Sequence, residues 1–98
     1  MTLSTTFIPR RTQGCESSRL GNEFILLDAT GRVLRGLNPT GARIWELIDG
    51  HRTAAEISHR VANEFGASRQ RVLDDVLSFL SKLREAGLLT TAGQVERR

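Results

Sequence analysis

The fold of this chain is decided by residues 37–50, which read LNPTGARIWELIDG. Asn38 followed by Pro39 predicts the start of a helix, because an Asn side chain caps free backbone N–H groups and Pro fits the first turn. Apolar residues that include Trp45 follow at helical spacing. Gly50 suits the C-terminal cap of this helix. The stretch therefore predicts a helix that directly follows an apolar segment and ends at Asp49–Gly50.

The residues just upstream predict a β-hairpin. Residues 24–27, FILL, form a short apolar run, and residues 33–37, VLRGL, form the returning strand. Between them, residues 28–31 read DATG, a turn in which Gly31 can adopt positive φ. One further edge strand is expected within residues 7–20, because a proline is tolerated at the edge of a sheet.

Two more helices follow the first. Thr53 and Glu56 form a capping box, which predicts a second helix that Gly66 ends. Ser68 can cap a third helix that runs to about Ala86, where a glycine follows. We therefore predict an α+β domain with a three-stranded antiparallel sheet followed by three helices.

The third helix has an unusually wide apolar face of roughly 160° when its residues are projected at helical spacing. The face consists of one stripe with a shoulder beside it: Val72, Val76, Phe79 and Leu83, then Leu73, Leu77 and Leu80. Such a helix can be the centre of a small core. Part of the face can instead line a groove beside the edge strand at 33–37, where an extended peptide would add as another strand. Both interpretations stay open at this point.

Composition limits the class of protein. The chain has 98 residues, enough for one compact domain, which we place at residues 7–90 between a flexible N-terminus (1–6) and a flexible tail (91–98). The net charge of +3 is spread along the chain without a block of like charges. A mild basic balance can favour an acidic peptide or weak nucleic-acid contact, or it can be a solvated surface.

The single cysteine, Cys15, cannot form an intramolecular disulfide, which fits a cytoplasmic protein. We see no signal peptide, and the apolar run at 24–27 is too short for a membrane span. His51 and His59 have no second ligand at metal-binding spacing. We therefore expect no catalytic residues, no metal and no cofactor.

Residues 24–89 resemble the PqqD-like family, whose members are also called RiPP recognition elements. The resemblance rests on LLDATG at residues 26–31, on LNPTGARIW at residues 37–45, and on scattered residues downstream: Asp49, Gly50, Thr53, Glu56, Ile57, Phe65, Asp75, Val76, Phe79, Leu80, Leu83, Gly87 and Leu88. It implies a winged-helix-like fold. It also implies a non-catalytic protein that binds the leader of a ribosomally made precursor peptide, as a strand added between the third strand and the third helix.

Carried onto this chain, the resemblance implies the following peptide-binding residues: Val33, Leu34, Arg35, Gly36, Arg69, Val72, Leu73, Asp75 and Val76. The form of residues 37–50 looks most like the stand-alone B1 proteins of lasso-peptide clusters, which work with a separate cysteine-protease-like leader peptidase. Many relatives carry an aromatic residue where this chain has Arg35 and Gly36, so a different leader preference is expected.

Three alternatives remain beside this hypothesis. The chain could act as a peptide chaperone in pyrroloquinoline quinone biosynthesis, or as a scaffold subunit that binds another protein. It could also be a winged-helix nucleic-acid binder, with Arg69 and Arg71 facing phosphates. Because the third helix carries a broad apolar surface and has Asp74 and Glu85 on its polar face, we expect no nucleic acid as partner. Because the longest apolar run is far too short for a membrane span, we expect no membrane as partner either.

Overall fold

The computed structural model describes residues 4–94, without the side-chain surroundings at positions 35, 36 and 94. The outermost residues of the predicted flexible ends, 1–3 and 95–98, lie outside the described part. The strands are β1 (Phe7–Arg11), β2 (Glu16–Leu20), β3 (Glu23–Leu27), β4 (Val33–Leu37) and β5 (Leu89–Gln94), and the helices are α1 (Pro39–Leu47), α2 (Ala54–Phe65) and α3 (Arg69–Glu85). The predicted α+β class, with an antiparallel three-stranded sheet followed by three helices, is confirmed.

The three-stranded sheet has the order β2-β3-β4, and both pairings are antiparallel. Gly21, with φ of +61°, lies in the turn that joins β2 to β3. Gly31, with φ of +88°, lies in the turn that joins β3 to β4, as the sequence predicted. The hairpin therefore leaves β2 and β4 as the two outer strands of this sheet.

A second sheet pairs the two ends of the chain. β1 and β5 are antiparallel, with an irregularity between Ile8 and Pro9. Residues 7–20 thus supply two strands where the sequence predicted one, and residues 91–94 form part of a strand where it predicted a flexible tail. Pairing between distant segments depends on the assembled core, so the local pattern did not reveal it.

The helix boundaries follow the predicted caps closely. The Asn38 side chain accepts a hydrogen bond from Gly41 N at 2.8 Å, and both bonds of the Thr53–Glu56 capping box are present. Gly66 ends α2 in the left-handed conformation. Two details differ: α1 ends at Leu47, slightly before the predicted Asp49–Gly50, and Ser68 makes no capping hydrogen bond.

The core lies where the helices meet the sheets. α3 contributes Val72, Val76, Leu80 and Leu83, and the other large, fully buried side chains include Leu26, Ile44, Trp45, Ile57 and Val61. The Arg11 guanidinium lies 4.8 Å from the centroid of the Trp45 ring and donates to the Trp45 carbonyl at 2.6 Å. This contact joins β1 to α1.

Replacement of Val72 by Asp tests the place of this residue in the core. Val72 is 5% exposed, and a carboxyl group at this position loses its hydration without gaining a charged partner. We expect the free energy of unfolding to fall by about 3 kcal/mol or more, measured by urea denaturation. Ser78→Asp, at an exposed position of the same helix, is the matched control and is expected to change stability little. Equal stability of the two variants would contradict the burial of Val72.

Candidate functional site

The free edge of β4 is the starting point of the site. β4 pairs with β3 on one side, and within residues 4–94 no strand pairs with its other side. The Asp28 N–H donates to the Arg32 carbonyl at 2.9 Å, so Asp28 and Arg32 form a hydrogen-bonded pair. Along an antiparallel ladder, hydrogen-bonded and non-hydrogen-bonded pairs alternate from this position. The alternation makes Leu27–Val33 a non-hydrogen-bonded pair. The N–H and C=O of Val33 are therefore turned toward the free edge.

An extra residue in β4 puts two leucines on one face of the strand. Phe24 pairs with Leu37 and Leu26 pairs with Leu34, so two steps along β3 correspond to three steps along β4. In a regular strand, residues three apart face opposite sides. The bulge takes up the extra residue, so Leu34 and Leu37 face the same side of β4 and line the same pocket.

This pocket lies between β4 and the second half of α3. Its volume is about 280 Å³, below the usual range for small-molecule sites and suited to one or two side chains. It is lined by Leu34, Leu37, Asn38, Gly41, Phe79, Lys82, Leu83 and Ala86. A methyl group on Gly41 would lie 3.6 Å from Phe79 Cζ and 3.3 Å from Asn38 Oδ1, so a larger residue there would crowd the pocket wall.

A second, smaller pocket of about 170 Å³ continues along the strand. It is lined by Asp28, Arg32, Val33, Leu34, Ala86 and Leu88. Because Leu34 and Ala86 line both pockets, the two form one continuous depression along β4. We call it the strand–helix groove, with a leucine compartment around Leu37 and Phe79 and an arginine compartment around Arg32.

Asp28 organises the end of the groove at the arginine compartment. Its Oδ1 accepts hydrogen bonds from Thr30 N, Thr30 Oγ1 and Arg32 N, and its Oδ2 accepts one from Arg32 Nε at 2.8 Å. These hydrogen bonds, from Thr30 first and then Arg32, hold the pKa of the Asp28 carboxyl well below its usual range. Arg32 also donates from Nη2 to the Ala86 carbonyl at 3.3 Å, which links the hairpin turn to the end of α3.

The structure describes the surroundings of seven of the nine predicted site residues, and these surroundings differ. Val33 and Leu34 line the groove and are 50% and 39% exposed. Arg35 and Gly36 belong to β4, but their side-chain surroundings lie outside the described part. Val72 and Val76 are buried in the core, Leu73 is half-buried and Asp75 is exposed. Arg69 instead contacts α2, where its Nη2 lies 2.6 Å from His59 Nδ1.

The described part of the groove is therefore lined by the second half of α3, whereas the helix residues implied by the resemblance lie in its first half. Helical periodicity identified the apolar face correctly, including Phe79 and Leu83, but periodicity carries no information on which turn faces the strand. A peptide contact by Leu73 or Asp75 stays a prediction.

Two further findings concern metal binding and membrane spans. Within residues 4–94, no group of His, Cys, Asp and Glu side chains is arranged to hold a metal ion. None of the three helices is long and apolar enough to cross a membrane.

Two curated relatives align with parts of the chain. The PqqA binding protein of Gluconobacter oxydans (strain 621H) is 41% identical over 59 residues, which cover 60% of this chain and 58% of the relative. The PqqA binding protein of Bradyrhizobium diazoefficiens is 33% identical over 49 residues, 50% of this chain and 48% of the relative. The aligned regions thus span about half the length of these relatives.

Three solved structures share the fold. TbiB1, in complex with the TbiA(β) leader peptide, has a TM-score of 0.72 at 27% identity and covers 89% of this chain and 99% of its own. The PqqD part of Methylobacterium extorquens PqqCD, a stand-alone RiPP recognition element, has a TM-score of 0.77 at 22% identity. The match covers 89% of this chain and 93% of that structure. A lasso peptide synthetase B1 complexed with its leader peptide has a TM-score of 0.73 at 20% identity and covers 85% and 98%.

The sequence profile of the family described as Coenzyme PQQ synthesis protein D (PqqD) matches residues 23–89, from the start of β3 to the start of β5. The match includes the hairpin, all three helices and both walls of the strand–helix groove. The chain belongs to the PqqD family.

Proposed function

We propose that this chain binds the leader segment of a ribosomally synthesised precursor peptide and presents the precursor to a separate modifying enzyme. The observation that carries the proposal is the free edge of β4 beside the apolar strand–helix groove. An extended leader would pair its backbone with β4 and place alternate side chains in the groove. Two solved relatives of the same fold, TbiB1 and the lasso peptide synthetase B1, hold leader peptides.

The groove favours peptide binding over catalysis. The walls of the leucine compartment are mainly aliphatic and aromatic, with Lys82 and Asn38 as its polar members. The carboxylate of the arginine compartment, Asp28, is occupied by four hydrogen bonds. We propose an accessory, non-catalytic role in the cytoplasm, next to a leader peptidase or another modifying enzyme.

Lasso-peptide biosynthesis is the pathway we favour, because residues 37–50 resemble those of the stand-alone B1 proteins of lasso-peptide clusters and a lasso peptide synthetase B1 shares the fold over 98% of its length. A role as a peptide chaperone in pyrroloquinoline quinone biosynthesis is the second candidate, and the identity to the PqqA binding protein of Gluconobacter oxydans supports it. Titration of two fluorescein-labelled peptides separates them: the leader of a lasso precursor encoded beside this chain, and PqqA. Saturable binding of the first alone supports the lasso pathway, and saturable binding of neither overturns leader recognition.

The nucleic-acid alternative has less support. In that interpretation Arg69 would face phosphates, but its guanidinium is in contact with His59. A gel-shift assay at low salt with duplex DNA checks this point, because phosphate contacts make binding strongly dependent on salt. We expect no salt-dependent shift.

Leu34→Asp is expected to weaken leader binding by about tenfold or more, because a strand added to β4 would cover the new carboxylate and remove its hydration. Leu34 is 39% exposed in the free protein, so the variant should keep its fold. Affinity is measured by anisotropy and folding by circular dichroism. Leu20→Asp is the matched control, because Leu20 is an exposed leucine, 59% accessible, on the opposite outer strand of the same sheet. Wild-type affinity in a folded Leu34→Asp variant would contradict the groove assignment.

Val33→Pro tests strand addition itself. Proline removes the N–H group that points to the free edge and leaves the pairing with β3 in place. We expect the Kd for the leader to rise about fivefold to tenfold. This is the effect of losing one backbone hydrogen bond together with some steric hindrance from the proline ring.

The control for Val33→Pro lies on the other edge of the sheet. The two-residue turn after Leu20 makes Leu20–Glu23 a hydrogen-bonded pair, and alternation turns the N–H of Ser17 outward on β2. Ser17→Pro therefore makes the same change away from the groove and should leave the Kd unchanged. If both proline variants bind like the wild type, the leader does not add to β4.

A further inference from the structure

The leucine compartment contains one positive charge among apolar walls. Lys82 lines the compartment together with Phe79 and Leu83. Its side chain makes no ion pair with any carboxylate in the described part of the chain, and Glu85, one turn further along α3, is outside ion-pair distance. The Lys82 ammonium group is therefore available to a ligand.

The arginine compartment adds a second cation and no free anion. Arg32 is 75% exposed at its side chain, and its guanidinium carries more N–H donors than its bonds to Asp28 and Ala86 use. The carboxylate of Asp28 is surrounded by donors from Thr30 and Arg32. The groove as a whole thus offers positive charge on both sides of the boundary formed by Leu34 and Ala86.

The distance between neighbouring side chains on one face of an added strand shows which ligand residues would lie near these charges. Side chains at positions i and i+2 of a strand face the same side, about 7 Å apart. If one of them enters the leucine compartment, the next lies over the boundary at Leu34 and Ala86. Lys82 lines the compartment on one side of this boundary and Arg32 lines the compartment on the other side, so a side chain over the boundary has a cation on each side.

We propose that Lys82 is a specificity-determining residue that selects a leader with an Asp or Glu two residues from a large apolar side chain on the same face of the strand. The apolar side chain fills the leucine compartment, and the carboxylate pairs with Lys82 above the boundary, with Arg32 beside it. This inference rests on the proposed function, because it names the chemistry of the ligand for the same groove.

The expected energetic effect is modest, since the pair lies at a partly solvated rim. Exposed ion pairs change affinity by up to about fivefold. Selection for the carboxylate should be visible as a sequence preference, whereas most of the affinity should come from the backbone pairing and the apolar side chain.

The test is a selection with random dodecapeptides displayed on phage, carried out in parallel on immobilised wild-type protein, Lys82→Glu and Arg84→Glu. Arg84 is an exposed basic residue in the same last turn of α3 and is not among the residues that line the two compartments. Arg84→Glu therefore changes the net charge and the charge at the helix end by the same amount as Lys82→Glu. The wild type and Arg84→Glu should enrich Asp or Glu two residues from a large apolar residue. Lys82→Glu should enrich Lys or Arg at that position.

A quantitative measurement completes the test. The peptide most enriched by the wild type is resynthesised with its acidic residue changed to the amide. Its Kd, measured by anisotropy, should rise by about fivefold for the wild type. For Lys82→Glu the Kd should fall, because the amide no longer repels the new carboxylate.

The outcomes separate this inference from the proposed function. If selected peptides lose affinity for Val33→Pro but show the same preference with the wild type and Lys82→Glu, strand addition stands and the role of Lys82 is wrong. If no selected peptide depends on Val33 or Leu34, both proposals are wrong.

Discussion

The burial of one stripe of α3 is the constraint on which the groove depends. Val76, Leu80 and Leu83 have no exposed surface, so the helix cannot rotate or slide without opening a cavity in the core. Leu83 belongs to this core and also lines the leucine compartment. The distance between α3 and β4 is therefore set by the same packing that stabilises the domain, and the groove exists before any ligand arrives.

The two outer strands of the three-stranded sheet differ in a way that stability alone does not explain. β2 reads ESSRL and every residue of it is exposed, which is a common way to keep a sheet edge from pairing with other chains. β4 instead exposes Val33 and Leu34 at an edge with free backbone groups. An apolar open edge favours unwanted association, so its presence beside a groove indicates an edge kept open for a ligand. The cations Arg32 and Lys82 flank it, and in our proposal they limit that association to ligands of suitable charge.

Part of the site was predicted from the sequence and part was not. Val33 and Leu34 were identified because a returning hairpin strand at an edge is a local feature. The residues that line the described part of the opposite wall, Phe79, Lys82 and Ala86, were not among those implied by the resemblance, and two that were, Val72 and Val76, are buried. The apolar face of a helix follows from periodicity, but its position along a strand follows from how the two elements cross. Asp28 was predicted as a turn residue, and neither Asp28 nor Arg32 was linked to α3.

The sequence by itself determined where α1 and α2 start, where α2 ends and where the hairpin turns. Asn38, the Thr53–Glu56 box and Gly66 act through hydrogen bonds and backbone angles within a few residues, so their effect does not depend on the rest of the chain. The tertiary structure alone decided the pairing of β1 with β5, the bulge that turns Leu34 and Leu37 to one face, and the register of α3 against β4. These features join segments far apart in the chain, and they arise because the buried side chains fit together in one arrangement.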